Sequence, residues 1–245
     1  MLQHPFSGGL MGDQTIRSEM LLGPDSTAYL FRKHVIVFGI GGVGSYCAEA
    51  LARAGVGSIT LVDDDTVSVS NLNRQLVALQ STIGLPKTEV MAKRIQDINP
   101  ECHVAVRTKR YEEQTREEFF SSKVDYIADC IDSVSCKTDL IATAITRSIP
   151  IISAMGTGNK LDATKFVITD LSKTSGCPLA RVMRRELKKA GIVHHTVLYS
   201  TEPAKKPLFH PNEDCRVPGS VSWVPGCAGL MMAGHIIKEL LSDPS

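Results

Sequence analysis

The chain is poor in aromatic side chains: one Trp, five Tyr and seven Phe among 245 residues, or 5%. A module that reads bases chiefly by stacking them on rings needs more, which argues against that class. An excess of one charge is also missing. The 27 basic residues stand against 26 acidic ones, a formal +1, so no global field draws the chain toward nucleic acid or an anionic membrane. The seven cysteines, at 47, 102, 130, 136, 177, 215 and 227, are odd in number, and no two lie at Cys-x-x-Cys spacing. Neither an all-cysteine zinc site nor a secreted disulfide framework is expected; reduced thiols in a cytoplasmic protein are. Long apolar runs are absent too. The stretch Val224 to Ile237 contains His235 and is too short to span a bilayer, and MLQHPFSGGLMG lacks the basic segment and apolar core of a signal peptide, so no membrane partner is expected. There is no internal repeat and no low-complexity segment. What is present is ordinary globular composition, 43% hydrophobic and 22% charged, at a length that suits one α/β domain or two small ones.

From His34 onward, β-branched runs alternate with helical spacing. The pattern predicts strands at Val35 to Phe38, Ser58 to Val62, Val104 to Arg107, Val124 to Ala128 and Ile149 to Ser153. Between them it predicts helices over Val43 to Arg53, Pro86 to Ile98, Glu113 to Ser121 and Val134 to Arg147. That alternation reads as an α/β fold with a doubly wound, mainly parallel sheet. After Ser153 the rhythm changes to a strand Lys165 to Asp170, a helix Pro178 to Ala190, a strand Val193 to Tyr199, a polar loop and a last helix. This tail either extends the sheet or forms a substrate-facing lobe. The expected organisation is an N-terminal segment over 1–33, a nucleotide-binding region over 34–155 and a substrate-facing and dimerisation region over 156–245.

Gly39-Ile40-Gly41-Gly42-Val43-Gly44 follows the first strand and opens the next helix. Glycines allow a tight turn and close backbone approach, so amides at the helix N-terminus can face a phosphate. Asp63 ends the following strand, where a carboxylate can hold ribose hydroxyls. A purely structural tight turn is the alternative, and the pattern alone does not separate NAD from ATP.

Four further features bear on that choice, because hydride transfer does not need them. The acidic turn Asp63-Asp64-Asp65 is followed by Asn71-Leu72-Asn73-Arg74-Gln75, where Arg74 can grip a polyphosphate bidentately; an ordinary capped polar loop is the other reading. Lys87 falls in the first turn of a helix begun by Pro86, where the macrodipole disfavours a cation unless an anion is nearby; otherwise it is a solvated lysine. Asp132 stands between a strand and a helix, well placed either for a Mg²⁺ on phosphates or as an N-cap. Arg17, in Arg17-Ser18-Glu19-Met20-Leu21-Leu22-Gly23, reaches a phosphate only if the N-terminal segment folds over a site.

Taken in order, these motifs, with Gly84-Leu85-Pro86-Lys87, Ile98-Asn99-Pro100 and Asp129-Cys130-Ile131-Asp132, resemble the ubiquitin-activating-enzyme-like superfamily from about Arg17 to Met155. The resemblance implies ATP-dependent adenylation of a carboxylate by a homodimer, a ligase-type activity. It implies that Asp63 holds the ribose, Arg74 and Lys87 the phosphates and Asp132 the Mg²⁺, with Arg17 supplied across the dimer interface. Gly39, Gly41, Gly42, Gly44, Asp65, Asn71 and Gln75 complete the expected nucleotide contacts, and there is room for a monovalent cation (K⁺ or Na⁺).

The tail narrows the resemblance. Thr164 to Thr174, Pro178-Leu179-Ala180-Arg181, the Arg-Arg-Glu-Leu-Lys-Lys run and Tyr199-Ser200-Thr201-Glu202 look like the tRNA threonylcarbamoyladenosine dehydratase branch. That branch uses ATP to cyclise a modified adenosine beside the anticodon, so the implied partners are tRNA and a cysteine-desulfurase system. Cys177 stands where the family usually has an Asp before Pro-Leu-Ala, so a helix cap is missing. The helix from Pro178 puts Arg181, Arg184, Arg185, Lys188 and Lys189 on one face, a stripe for phosphate backbone or a merely solvated surface. Cys215 and Cys227 lie in or beside the late loop; ring closure within one substrate needs no enzyme thiol, so buried apolar thiols are the simpler reading. The nearest rival function is adenylation of a ubiquitin-like sulfur carrier's C-terminus; an NAD-dependent oxidoreductase and a non-catalytic nucleotide sensor are more distant ones.

Overall fold

The computed structural model describes residues 11–209 and 217–242. Two helices, α1 (Met11–Leu22) and α2 (Ser26–Leu30), precede β1 (His34–Phe38). There follow α3 (Gly44–Arg53), β2 (Ser58–Val62), α4 (Lys87–Ile98), β3 (His103–Arg107), β4 (Tyr126–Asp129), α5 (Val134–Thr146) and β5 (Ile151–Ala154). The tail adds β6 (Phe166–Asp170), α6 (Pro178–Lys189), β7 (Thr196–Ser200) and α7 (Trp223–Ser242).

The strands form one sheet in the order β3-β2-β1-β4-β5-β7-β6, all parallel except the last pair. The tail therefore continues the sheet. β1 is fully buried beyond His34, and its side chains alternate: Val35 and Val37 enter the core under α3, α4 and α7, while Ile36 and Phe38 enter the core under α5 and α6. A strand buried on both faces has to be apolar at every position, and HVIVF nearly is. The apolar stretch at Val224 to Ile237 becomes α7, which lays Val224, Ala228, Met232 and Ile236 against the sheet and α3. No helix among the described residues is long and apolar enough to cross a membrane.

One expected helix takes another form. Glu113 to Ser121 has helical spacing, but Glu113–Phe119 is a 3₁₀ helix. The segment is short, and Phe119 and Phe120 anchor it on Phe38 with ring centroids 5.7 and 6.4 Å away, which favours the tighter winding of a connector.

Candidate functional site

β1 and β4 are neighbours, with Phe38 beside Asp129. Beyond β1 the chain turns to one face of the sheet, and beyond β4 to the other. A cleft opens between the two turns, as it does wherever strand order reverses in an open α/β sheet. Here it is a cavity of about 610 Å³.

The glycine turn builds its floor. Gly39 has φ +85°, and a Cβ there would lie 2.8 Å from the Cys130 carbonyl oxygen. Gly44 has a different role from the one expected: it does not line the cavity, and a Cβ would run into Gly39 O at 1.8 Å, so it lets the turn close on itself. Gly41 faces open space, where a Cβ would meet only Gln75 Nε2 at 3.7 Å. Among the described residues, the amides of Gly41, Gly42 and Val43 have no acceptor, although all three residues line the cavity. Unmatched amides ahead of a helix are suited to an anion.

Asp63 accepts from the Ile40 amide at 2.6 Å and the Asp65 amide at 2.8 Å. Burial pushes its carboxyl above the usual range, against the pull of Lys87 and the two amides. Each oxygen keeps a second lone pair for a ribose hydroxyl. Lys87 is not a solvated lysine: it is 5% exposed, and its Nζ lies 2.6 Å from Asp65 Oδ2. Arg74 is half-buried and donates from Nη1 to Ser70 O at 2.8 Å and Asn73 Oδ1 at 2.9 Å, leaving its other nitrogens without a partner among the described residues. Asn73 in turn donates to Ser220 O at 3.0 Å, tying this loop to the tail. Asn71 lines the cavity, but its side-chain oxygen accepts from the Ser68 amide at 3.1 Å, so it also holds its own turn. Gln75 Oε1 is buried with no partner, an orphan acceptor beside the glycine turn.

Asp132 enters from the β4 side. The N-cap position of α5 falls to Ser133, which makes no cap bond, so the capping reading of Asp132 is not realised. Its carboxylate is exposed and unengaged among the described residues. Oxygens of Asp63, Asp64 and Asp65 come within 4.8 Å of one another, yet Asp63 is bonded to amides and Asp65 to Lys87. That leaves Asp64 and Asp132 as carboxylates of the cavity without a hydrogen bond among the described residues, Asp132 alone on the β4 side, and a hard cation on phosphates takes few carboxylates.

Lys109, Arg110 and Tyr111, just past β3, also line the cavity, as do Cys136, Thr157, Ser220 and Pro225. The sequence reading missed them. The cations at 109 and 110 had a signal, since they follow directly on a strand that ends on the ligand side of the sheet.

Arg17 is exposed on α1 and does not line the cavity of its own chain. The basic face of α6 needs correction. Arg184 turns inward, donating to Thr174 O at 2.9 Å and to the Thr174 hydroxyl. Arg185 and Lys189 both pair with Glu186, at 2.8 and 2.6 Å. Arg181 and Lys188 stay exposed without an ion pair among the described residues. Cys177 occupies the α6 N-cap without a cap bond, as its substitution for Asp implied. Cys227 is half-buried in α7, and Cys215 lies outside the described residues.

Sheet order and cavity define a nucleotide-binding α/β protein, with a site better matched to a triphosphate than to a dinucleotide because four cations, Arg74, Lys87, Lys109 and Arg110, and the unengaged Asp132 line one cavity with the glycine turn. The chain belongs to the ThiF family, whose model matches residues 15–245. A tRNA threonylcarbamoyladenosine dehydratase of Bacillus subtilis (strain 168) is 43% identical over 244 residues, covering 94% of this chain and 95% of that protein. The protein of the same name from Haemophilus influenzae is 44% identical over 246 residues, with 92% of each chain covered. The crystal structure of E. coli tRNA N6-threonylcarbamoyladenosine dehydratase, TcdA, in complex with ATP is similar at a TM-score of 0.87 and 36% identity, covering 94% of this chain and 95% of that one.

Proposed function

We propose that this chain is an ATP-dependent tRNA threonylcarbamoyladenosine dehydratase. The observation that carries the reading is the anion-ready chemistry of the cavity: free amides at Gly41, Gly42 and Val43 and the desolvated Lys87 ammonium all border one space. The likeness to the B. subtilis and E. coli dehydratases supports it through the tail as well as the nucleotide region.

In this reading ATP lies with its phosphates over the glycine turn and its ribose at Asp63. The threonyl carboxylate of the modified adenosine attacks the α-phosphorus, and the bond to the β-phosphate oxygen breaks to release pyrophosphate. The carbamoyl group of the same substrate then attacks the activated acyl carbon, losing a proton, and AMP leaves with the former carboxylate oxygen. The tRNA has lost one water, and that oxygen ends on AMP. Ring closure within one molecule replaces an enzyme nucleophile by proximity. Lys87 and Arg74 stabilise charge developing on the phosphates, and aiming them in advance is the chief contribution of this chain. Asp132 would hold Mg²⁺, which screens the phosphate charge when bound. Arg181 and Lys188 lead the contact with the tRNA backbone, Arg185 and Lys189 adding to it when released from Glu186. Arg17 serves the cavity of a second copy in a homodimer. A tRNA substrate places this work in the cytoplasm.

The test is incubation with ATP, Mg²⁺ and tRNA carrying threonylcarbamoyladenosine, followed by mass spectrometry of the digested nucleosides. Loss of one water from the modified nucleoside is expected. No loss, with AMP formed on a ubiquitin-like carrier instead, would favour the sulfur-carrier reading.

A further inference from the structure

Asp129, the last residue of β4, is fully buried, and three donors converge on its carboxylate. They are the Ser153 hydroxyl at 2.5 Å, the Lys137 ammonium at 2.8 Å and the Ile131 amide at 3.1 Å. Lys137 is itself fully buried in the first turn of α5, where the macrodipole opposes a cation, so Asp129 is what holds it there. Ser153, in β5, accepts from His195 Nε2 at 2.8 Å. An ionised carboxylate only accepts, so the serine proton points at Asp129 and the Nε2 proton of a neutral imidazole points at the serine. Burial keeps that imidazole neutral, its pKa held down to about 4. The carbonyl of His195 accepts from the Leu171 amide at 2.8 Å, in the turn that leads to α6.

A bonded chain thus runs from the α6 and β7 region to the loop over 130–133. Buried ion pairs contribute little net stability compared with apolar residues of the same volume, and their best-attested use is to fix register. Ile131 stands next to Asp132, and its amide is fixed by the buried carboxylate.

We propose that Asp129 is a positioning residue, held by Lys137, Ser153 and His195, that fixes the Ile131 amide and so aims Asp132 at the metal, coupling the tRNA-facing tail to the nucleotide site. The proposal rests on the assignment of Asp132 to the metal. Outer partners of a metal ligand typically account for about ten- to a hundredfold in metal affinity.

The test reads Mn²⁺ binding to the ATP complex by electron paramagnetic resonance, and deuterium uptake over 130–133 in the ligand-free protein by mass spectrometry. Ser153→Ala is expected to weaken Mn²⁺ binding about tenfold or more and to speed exchange at Ile131. Ser153→Thr, which keeps the hydroxyl, is expected to restore both. His195→Leu should act like Ser153→Ala, and His195→Gln, which keeps an N–H near the place of Nε2, should act like the parent; this pair serves if the serine variant does not fold. Unchanged Mn²⁺ affinity in folded Ser153→Ala or His195→Leu, or a defect that the conservative variants leave in place, overturns the proposal. Asp132→Asn separates the two layers. Parent-like Mn²⁺ affinity in that variant removes the metal assignment, while lost affinity there with parent-like Ser153→Ala overturns the positioning role alone.

Discussion

The Lys87 ammonium lies 2.6 Å from the Asp65 carboxylate, yet the two side chains live in different solvents: 6% exposed for the lysine, 66% for the aspartate. The cation is desolvated and fixed by a helix, while its partner sits at the water's edge. Such a pair adds little stability. Its use is to keep a cation ready where phosphates arrive.

Lys87→Ala is therefore expected to lower kcat/KM for tRNA dehydration by about 10²–10³, the usual scale for removing one preorganised donor to a developing charge. Asp65→Asn should cost much less, since the Lys87 amide still donates to the Asp65 backbone carbonyl at 3.1 Å and keeps the helix end in place. Pyrophosphate release with modified tRNA measures both. Equal losses from the two variants would mean that the pair acts as a unit, the ammonium serving the nucleotide only while the carboxylate holds it.

The basic helix makes a graded expectation. Arg181→Glu with Lys188→Glu removes two exposed, unpaired cations, so tRNA binding should weaken and the slope of log K against log salt should fall by about two. Arg184→Ala should leave the salt slope nearly unchanged and lower the melting temperature instead, because its guanidinium holds the Thr174 carbonyl. Filter binding at several salt concentrations reads the slopes. A large slope change at Arg184 would show that it swings outward to meet RNA.

Most of the sheet was legible because short β-branched runs bounded by turn residues carry their own signal: β1, β2, β3 and β6 begin and end within a residue of the reading, and β4 and β5 within two. The nucleotide side of the site was legible for the same local reason, each motif closing a strand or opening a helix. Lys87 was half legible; its place on the helix was readable, its burial was not, because Asp65 reaches it from another element. The Asp129, Lys137, Ser153 and His195 cluster was illegible. It exists only because β4, β5 and β7 are neighbours, an order that periodicity does not contain. The charge pattern of α6 misled at Arg184 because a wheel gives direction, and the donor-seeking Thr174 carbonyl lies off the helix.

Stability should depend on pH through His195. Its imidazole is held down from 6.5 to about 4, chiefly by burial, with Lys137 acting the same way and Asp129 and Asp170 opposing. The folded state prefers the neutral ring, so the unfolded chain binds more protons between those values. The contribution is complete above 6.5 and is lost as pH falls through 4, on the order of 3 kcal/mol in all. Urea midpoints taken from about pH 7 to about pH 4.5 should fall more steeply for the parent than for His195→Gln, whose side chain does not titrate. Parallel curves would show that the ring is not kept neutral in the fold.

The exposed helix α1 carries the last expectation. It turns Met20 and Leu21 to solvent at 78% and 88% exposure, beside an exposed Arg17 that is absent from its own cavity. Apolar side chains left to solvent next to one another suit a contact with a second copy. If the contact is a two-fold dimer and Arg17 enters the partner's cavity, each site takes Lys87 from one copy and Arg17 from the other. Arg17→Ala and Lys87→Ala should each be nearly inactive alone. Co-expressed, random pairing makes half the dimers mixed; in each mixed dimer one site carries both substitutions and the other neither. Activity should therefore recover to about a quarter of the parent value. Two differently tagged variants purified in tandem isolate the mixed dimer, where the expected recovery rises to about half. No recovery in that isolated species would place Arg17 and Lys87 in the service of the same chain.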